Sequence, residues 1–134
     1  MKPFVKILAA FLLPLCMAAA QGQALSVFTA EQARQGQALY VHNCAACHGP
    51  DLEGLSGPAL TGPGFRQMLT DQNLTAASLL SVVMNTMPYD SQGNLPDAQF
   101  EAIVAYILSR SGYPAGTEKL APDNPHLVEL KFGS

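Results

Sequence analysis

A chain of 134 residues has room for one domain. Its formal net charge is −3, from seven basic and ten acidic residues, and it offers no strongly basic face for nucleic acid or an anionic membrane. Those two partner classes are excluded before any motif is read.

Residues 1–24 read as an export signal. Lys2 and Lys6 form a short positive region, followed by "ILAAFLLPLCMAAA" and small residues suited to a peptidase, with cleavage expected after Ala20 or Ala24. The apolar run is about 14 residues and holds Pro14, whereas a membrane-spanning helix needs roughly 20. Cys16 stands where a lipid could be attached, but Leu15 before it is bulky where a lipobox carries a small residue. No lipid or membrane anchor is expected, and the periplasm is the expected location. Cleavage removes Lys2, Lys6 and Cys16, leaving five basic against ten acidic residues, a net charge of −5, and only Cys44 and Cys47. A bare pair of neighbouring thiols does not persist as dithiol in an oxidising compartment.

Residues 25–112 form the expected domain. "FTAEQARQGQALYVHN" starts a helix, with Thr29 as cap and Gln32 completing a capping box. Gly36 inside it costs about 1 kcal/mol against alanine, which close approach of a second helix would offset. Residues 49–75 are punctuated by Gly49, Pro50, Gly54, Gly57, Pro58, Gly62, Pro63 and Gly64. Such a long loop needs an organiser, and a large buried cofactor is one. A short turn is expected near Phe65–Leu69, then a helix from Thr75 to Asn85. "LPDAQFEAIVAYILSRSG" is the clearest helix: Pro96 and Asp97 suit its first turn, and Phe100, Ile103, Val104, Ile107 and Leu108 make an apolar stripe. Arg110 suits its C-terminal dipole, and Gly112 ends it. No alternating run is long enough for a sheet, so the fold class is all-α, with three to five short helices. Residues 113–134 are expected to pack on the domain as surface coil or to dock a partner, with "HLVELKF" as an extended segment.

The chemistry lies in "HNCAACHGP", residues 42–50. A closed zinc site wants four ligands, and only one cysteine pair with His42, His48 and distant His126 is on offer. A thioredoxin-type disulfide needs a helix following a strand, and no such strand is expected. Attachment of c-type haem has C-x-x-C-H as its signature. Each thiol adds to one vinyl group on neighbouring pyrroles, and the next residue is held beneath the iron. Cys44 and Cys47 are then the covalent thioethers and His48 the proximal axial ligand, with no cysteine of the mature chain left over.

Iron held by His48 alone would be open to small molecules; a thioether in the sixth position closes it and raises its potential. The mature chain offers Met68, Met84 and Met87. Met84 falls inside a helix, where methionine is core filler. Met87 precedes Pro88, which pushes its backbone into an extended form and lifts its side chain off the helix end. Met87 is the expected distal ligand. His42 is expected at the surface. Leu52, Leu60, Phe65, Leu79, Val83, Tyr89, Ile103 and Ile107 are candidates to pack the haem faces, and Arg66 to meet a propionate.

With "GQALYVHNCAACHG", "GPAL" at 57–60, "MP" at 87–88 and the aromatic-bearing helix "IVAYIL", the chain resembles the class I monohaem cytochromes c of the bacterial cell envelope over residues 29–111. The resemblance implies the small cytochrome c fold wrapped around one covalent haem c, with the first and last helices crossing at Gly36 and Tyr106. It implies that the Pro58 carbonyl accepts a hydrogen bond from His48 Nδ1, fixing the ring and strengthening its other nitrogen as a ligand. It also agrees with an axial methionine followed by proline. The expected function is single-haem electron transfer between Fe(II) and Fe(III), serving a dehydrogenase or a terminal oxidase rather than a small-molecule substrate. Donor and acceptor proteins would meet the exposed haem edge through a transient or subunit-type contact. The alternative is a haem-based sensor or enzyme with a displaceable sixth ligand.

Overall fold

The computed structural model describes residues 25–132, so the expected signal and both cleavage sites lie outside the described residues. Five α-helices follow in order: α1 (Ala30–Asn43), α2 (Ala45–His48), α3 (Gly62–Asp71), α4 (Ala76–Thr86) and α5 (Asp97–Arg110), then a 3-10 turn at Pro125–Val128. Among the described residues there is no strand, only two isolated bridges, Thr29 to Gly116 and Thr75 to Lys131. No helix among them is long and apolar enough to cross a membrane.

The fold is organised by α1 crossing α5. A β-carbon on Gly36 would overlap the backbone carbonyl of Ala102 and come within 3.0 Å of Tyr106 Cβ, so only glycine admits this approach. Residues Ala102 to Leu108 are all buried, which makes α5 a core helix rather than a surface one. Tyr40 and Tyr106 meet across the crossing with ring centroids 5.4 Å apart and planes at 51°.

Thr29 caps α1 by accepting from Gln32 N–H at 3.1 Å. The second half of the expected capping box is absent, because the Gln32 side chain is used elsewhere. It donates through Nε2 to the Leu120 carbonyl at 2.7 Å and accepts from Leu120 N–H through Oε1 at 2.9 Å. A buried amide thus clamps the tail to the first helix. We expect Gln32→Leu, which strands both Leu120 groups away from water, to cost about 2–4 kcal/mol, read as a lower urea midpoint with an unchanged slope.

The expected short turn near Phe65 is instead the ten-residue helix α3, with Phe65 and Leu69 buried. Gly62, Pro63 and Gly64 look like a loop, yet Pro63 falls in the first turn, where a missing N–H costs nothing. α4 carries a complete capping box between Thr75 and Ser78 and ends at Met87. Gly112, at φ +91°, takes the chain out of α5.

The tail lies packed against the helices, with a 3-10 turn in place of the expected extended segment. Leu120, Leu127, Leu130 and Phe132 are buried while Val128 is 61% exposed, because the 3-10 turn at Pro125–Val128 turns Leu127 inward in place of Val128. Ala76 N–H donates to the Leu130 carbonyl at 3.0 Å, so the tail also satisfies an orphan donor of α4. At about 1.5–3 kcal/mol per buried side chain, these four residues belong to the core.

Candidate functional site

Cys44 is the C-cap of α1, its N–H donating to the Tyr40 carbonyl at 2.8 Å. The next residues, Ala45–His48, make a single helical turn that ends at Gly49, φ +83°. The glycine-rich segment then folds back on this turn. Gly54 N–H donates to the His48 carbonyl at 2.7 Å, and Leu55 and Gly57 N–H donate to the Cys47 carbonyl at 3.1 and 2.9 Å. Leu52 anchors the fold-back: it is 0% exposed and sits at φ +62°. A left-handed leucine costs about 1–3 kcal/mol, which burying its side chain offsets at about 1.5–3 kcal/mol. These bonds give the long loop a shape set by the polypeptide.

His48 is 8% exposed, and its Nδ1 lies 2.8 Å from the Pro58 carbonyl oxygen. A carbonyl only accepts, so Nδ1 carries the proton and Nε2 keeps a free lone pair. A β-carbon on Gly57 would stand 2.9 Å from His48 Cε1 and 3.0 Å from Nδ1. We expect Gly57→Ala to turn the ring off this line, cost about 1–3 kcal/mol by overpacking, and show as a lowered melting temperature with a partly high-spin visible spectrum.

Cys44 is half-buried and Cys47 exposed. Burial, and secondly the neighbouring Cys47, push the Cys44 thiol up to about 11. A thiol–disulfide catalyst has the reverse, a thiol pulled down toward neutrality. Among the described residues no group of three or more His, Cys, Asp and Glu side chains is placed to hold a metal ion, which leaves a protein-only zinc cage without its ligands. His42 is exposed, and His126 Nδ1 lies 2.9 Å from Glu129 Oε2 in the tail. Two thiols on one turn and one oriented imidazole instead suit a metal that brings its own macrocycle. The donor set fits haem c.

The methionines fall in three settings. Met87 is half-buried at the end of α4 with extended backbone, φ −121° and ψ 154°, and its N–H donates to the Val83 carbonyl at 3.1 Å. Met84 lies within α4 and lines a groove of about 490 Å³ with Leu80, Phe100, Pro122 and Leu127. Met68 packs at the edge of the core from α3. Of the residues expected at the haem faces, Leu52, Phe65, Leu79, Ile103 and Ile107 are buried, and Leu60 and Val83 are partly buried. Tyr89 is 83% exposed, and Arg66 is exposed on α3.

Two residues of the site carry no motif signal of their own. Gly57 is the space under the His48 ring, although "GPAL" points to its proline. Tyr40 donates its hydroxyl to the Gly49 carbonyl at 2.7 Å; only its position four residues before Cys44 hints at that reach.

The helices around this turn, and the turn itself, are those of a small c-type cytochrome. A sequence model of the family described as "Cytochrome C oxidase, cbb3-type, subunit III" matches residues 31–107, and the chain belongs to this cytochrome c family. Its cofactor is one covalent haem c. Cytochrome c-551 of Bacillus subtilis (strain 168) is 50% identical over 85 residues, which are 60% of this chain and 65% of that protein. The chain therefore spans just under two thirds of that relative's length. Among solved structures, a chain of the sulfane dehydrogenase SoxCD from Paracoccus pantotrophus superposes with a TM-score of 0.58 at 23% identity, covering 94% of this chain and 68% of that one, a likeness of fold. Cytochrome cL of Methylophaga aminisulfidivorans has a TM-score of 0.43 at 20% identity, covering 70% of this chain and 74% of that one.

Proposed function

We propose that the protein is a periplasmic single-haem electron carrier in which Cys44 and Cys47 form the thioethers, His48 is the proximal ligand and Met87 the distal one. The observation that carries this reading is the state of His48: buried on the C-x-x-C turn, its Nδ1–H spent on the Pro58 carbonyl, its Nε2 free. Haem c supplies a one-electron couple between ferric and ferrous iron. The chain's own residues do the rest. Pro58 holds the imidazole in one tautomer and one orientation, which makes Nε2 the stronger donor. Met87, lifted off the end of α4, closes the opposite side to small ligands. The tethered loop 49–60 keeps water from the buried side of His48, while Cys47 stays at the surface, where a partner can approach.

Charge describes that partner. Ten acidic residues against five basic ones beyond residue 24 give no ring of lysines, so the docking face of the partner is neutral, basic or mainly apolar. A dehydrogenase or a terminal oxidase is the partner class. The family description names an oxidase subunit and the SoxCD chain comes from a dehydrogenase, which motivates the two. The test is carbon monoxide added to the reduced protein recovered from the periplasmic fraction. An unchanged low-spin spectrum is the carrier's result. A carbon monoxide adduct would overturn it in favour of a sensor or enzyme with a displaceable ligand, and absence from the periplasmic fraction would overturn the location.

A further inference from the structure

A helical turn of four residues, Ala45–His48, is too short to hold itself. Its shape has to come from tethers, and one residue of α1 supplies them at both ends. The Tyr40 carbonyl accepts from Cys44 N–H at 2.8 Å, where the turn starts. The Tyr40 hydroxyl donates to the Gly49 carbonyl at 2.7 Å, one residue past its end. Tyr40 is itself held fast: it is 0% exposed and packed on Tyr106 at the α1–α5 crossing. Burial, first among the causes, raises its hydroxyl well above the ordinary tyrosine range, so the group stays a donor. The turn that carries both thiols and the imidazole is thus bracketed by one buried residue, through its main-chain carbonyl at the start and its side-chain hydroxyl at the end.

We propose that Tyr40 is a positioning residue for the iron-ligating histidine: by gripping the Gly49 carbonyl it sets the main chain of His48, and with it the line from Nδ1 to Pro58. This rests on His48 being an axial ligand. The Pro58 bond alone does not do this work. It fixes the far edge of the ring, while the peptide that bears the ring is steered from Gly49 and from the Gly54 bond to the His48 carbonyl.

The experiment is Tyr40→Phe in the haem-loaded protein. Phenylalanine keeps the packing against Tyr106, and the Gly49 carbonyl keeps its longer bond from Leu52 N–H at 3.2 Å, so no buried acceptor is stranded. We expect the iron-shifted NMR signals of His48 to move and its Nδ1 proton to exchange about tenfold faster, the scale of one hydrogen bond. The reduction potential is expected to rise, because an imidazole whose Nδ1–H is held less firmly is the weaker donor. Tyr106→Phe, which alters the same packing without touching the turn, is expected to leave all three readouts at their wild-type values. A Tyr40→Phe protein that melts lower with His48 signals, proton exchange and potential unchanged overturns the proposal. If Tyr40→Phe fails to mature, 4-aminophenylalanine at position 40 restores an N–H donor; recovery of haem content and of the His48 signals supports the proposal, and failure to recover overturns it. A wild-type spectrum without axial imidazole signals overturns the ligand reading and the proposal together, and the wild type alone distinguishes that case.

Discussion

Met87→Ala is expected to open the iron on its distal side and leave the attachment turn as it is. The Met87 backbone is held from both directions, by its own N–H on Val83 and by Gly93 N–H on its carbonyl at 3.3 Å. Its side chain is therefore presented from a fixed point, and alanine removes the thioether without moving that point. In the ferric protein the weak red band of methionine-ligated iron is expected to vanish. The reduced protein is expected to bind carbon monoxide, and its potential to fall with loss of the thioether. Stability drops by less than the roughly 2–5 kcal/mol of truncating a fully buried methionine, because Met87 is half-buried. Met84→Ala is the matched control. It enlarges the groove against Phe100 and Leu127, so it costs stability on the same scale and keeps the red band. Loss of the band in Met84→Ala and its survival in Met87→Ala would exchange the two roles.

The second large effect is at the helix crossing. Gly36→Ala is a favourable change by helix propensity, worth about 1 kcal/mol. Here the added carbon would run into the Ala102 carbonyl, which is backbone and cannot swing away. We expect a net loss of about 3 kcal/mol, the upper end of overpacking, and a melting temperature lower by on the order of 10–20 °C. The attachment turn hangs from the end of this same helix through Cys44 and Tyr40. The thermal shift should therefore be accompanied by a broadened, less uniform haem spectrum. A melting temperature at or above that of the wild type would show that α1 and α5 do not approach at Gly36.

How much of this is legible in the sequence depends on how far apart the partners lie. Caps are local, so Thr29, Thr75 and the Pro96–Asp97 start mark α1, α4 and α5 within a residue or so of where they form. The C-x-x-C-H spacing is local too, and it names the cofactor without any tertiary information. The α3 helix is obscured because Gly62, Pro63 and Gly64 are turn formers that happen to occupy its first turn. Gln32 reads as half of a capping box because its actual partner, Leu120, is 88 residues away. The tail misleads for a related reason. Its alternating residues suggest a strand, but among the described residues there is no sheet edge for one to join, so Leu127 is buried from a 3-10 turn and Leu130 and Phe132 from the irregular chain after it. The part Tyr40 plays in the site is only hinted at by its place four residues before Cys44, because its side chain acts through one hydroxyl reaching nine residues along the chain.

The most direct measurement is the intact mass of the purified protein from an exporting host with cytochrome c maturation, followed by a map of the peptide spanning residues 44–48. The predicted result is one haem per chain, bound through thioethers at both Cys44 and Cys47. Free thiols, or a disulfide between the two cysteines with no haem bound, would contradict it.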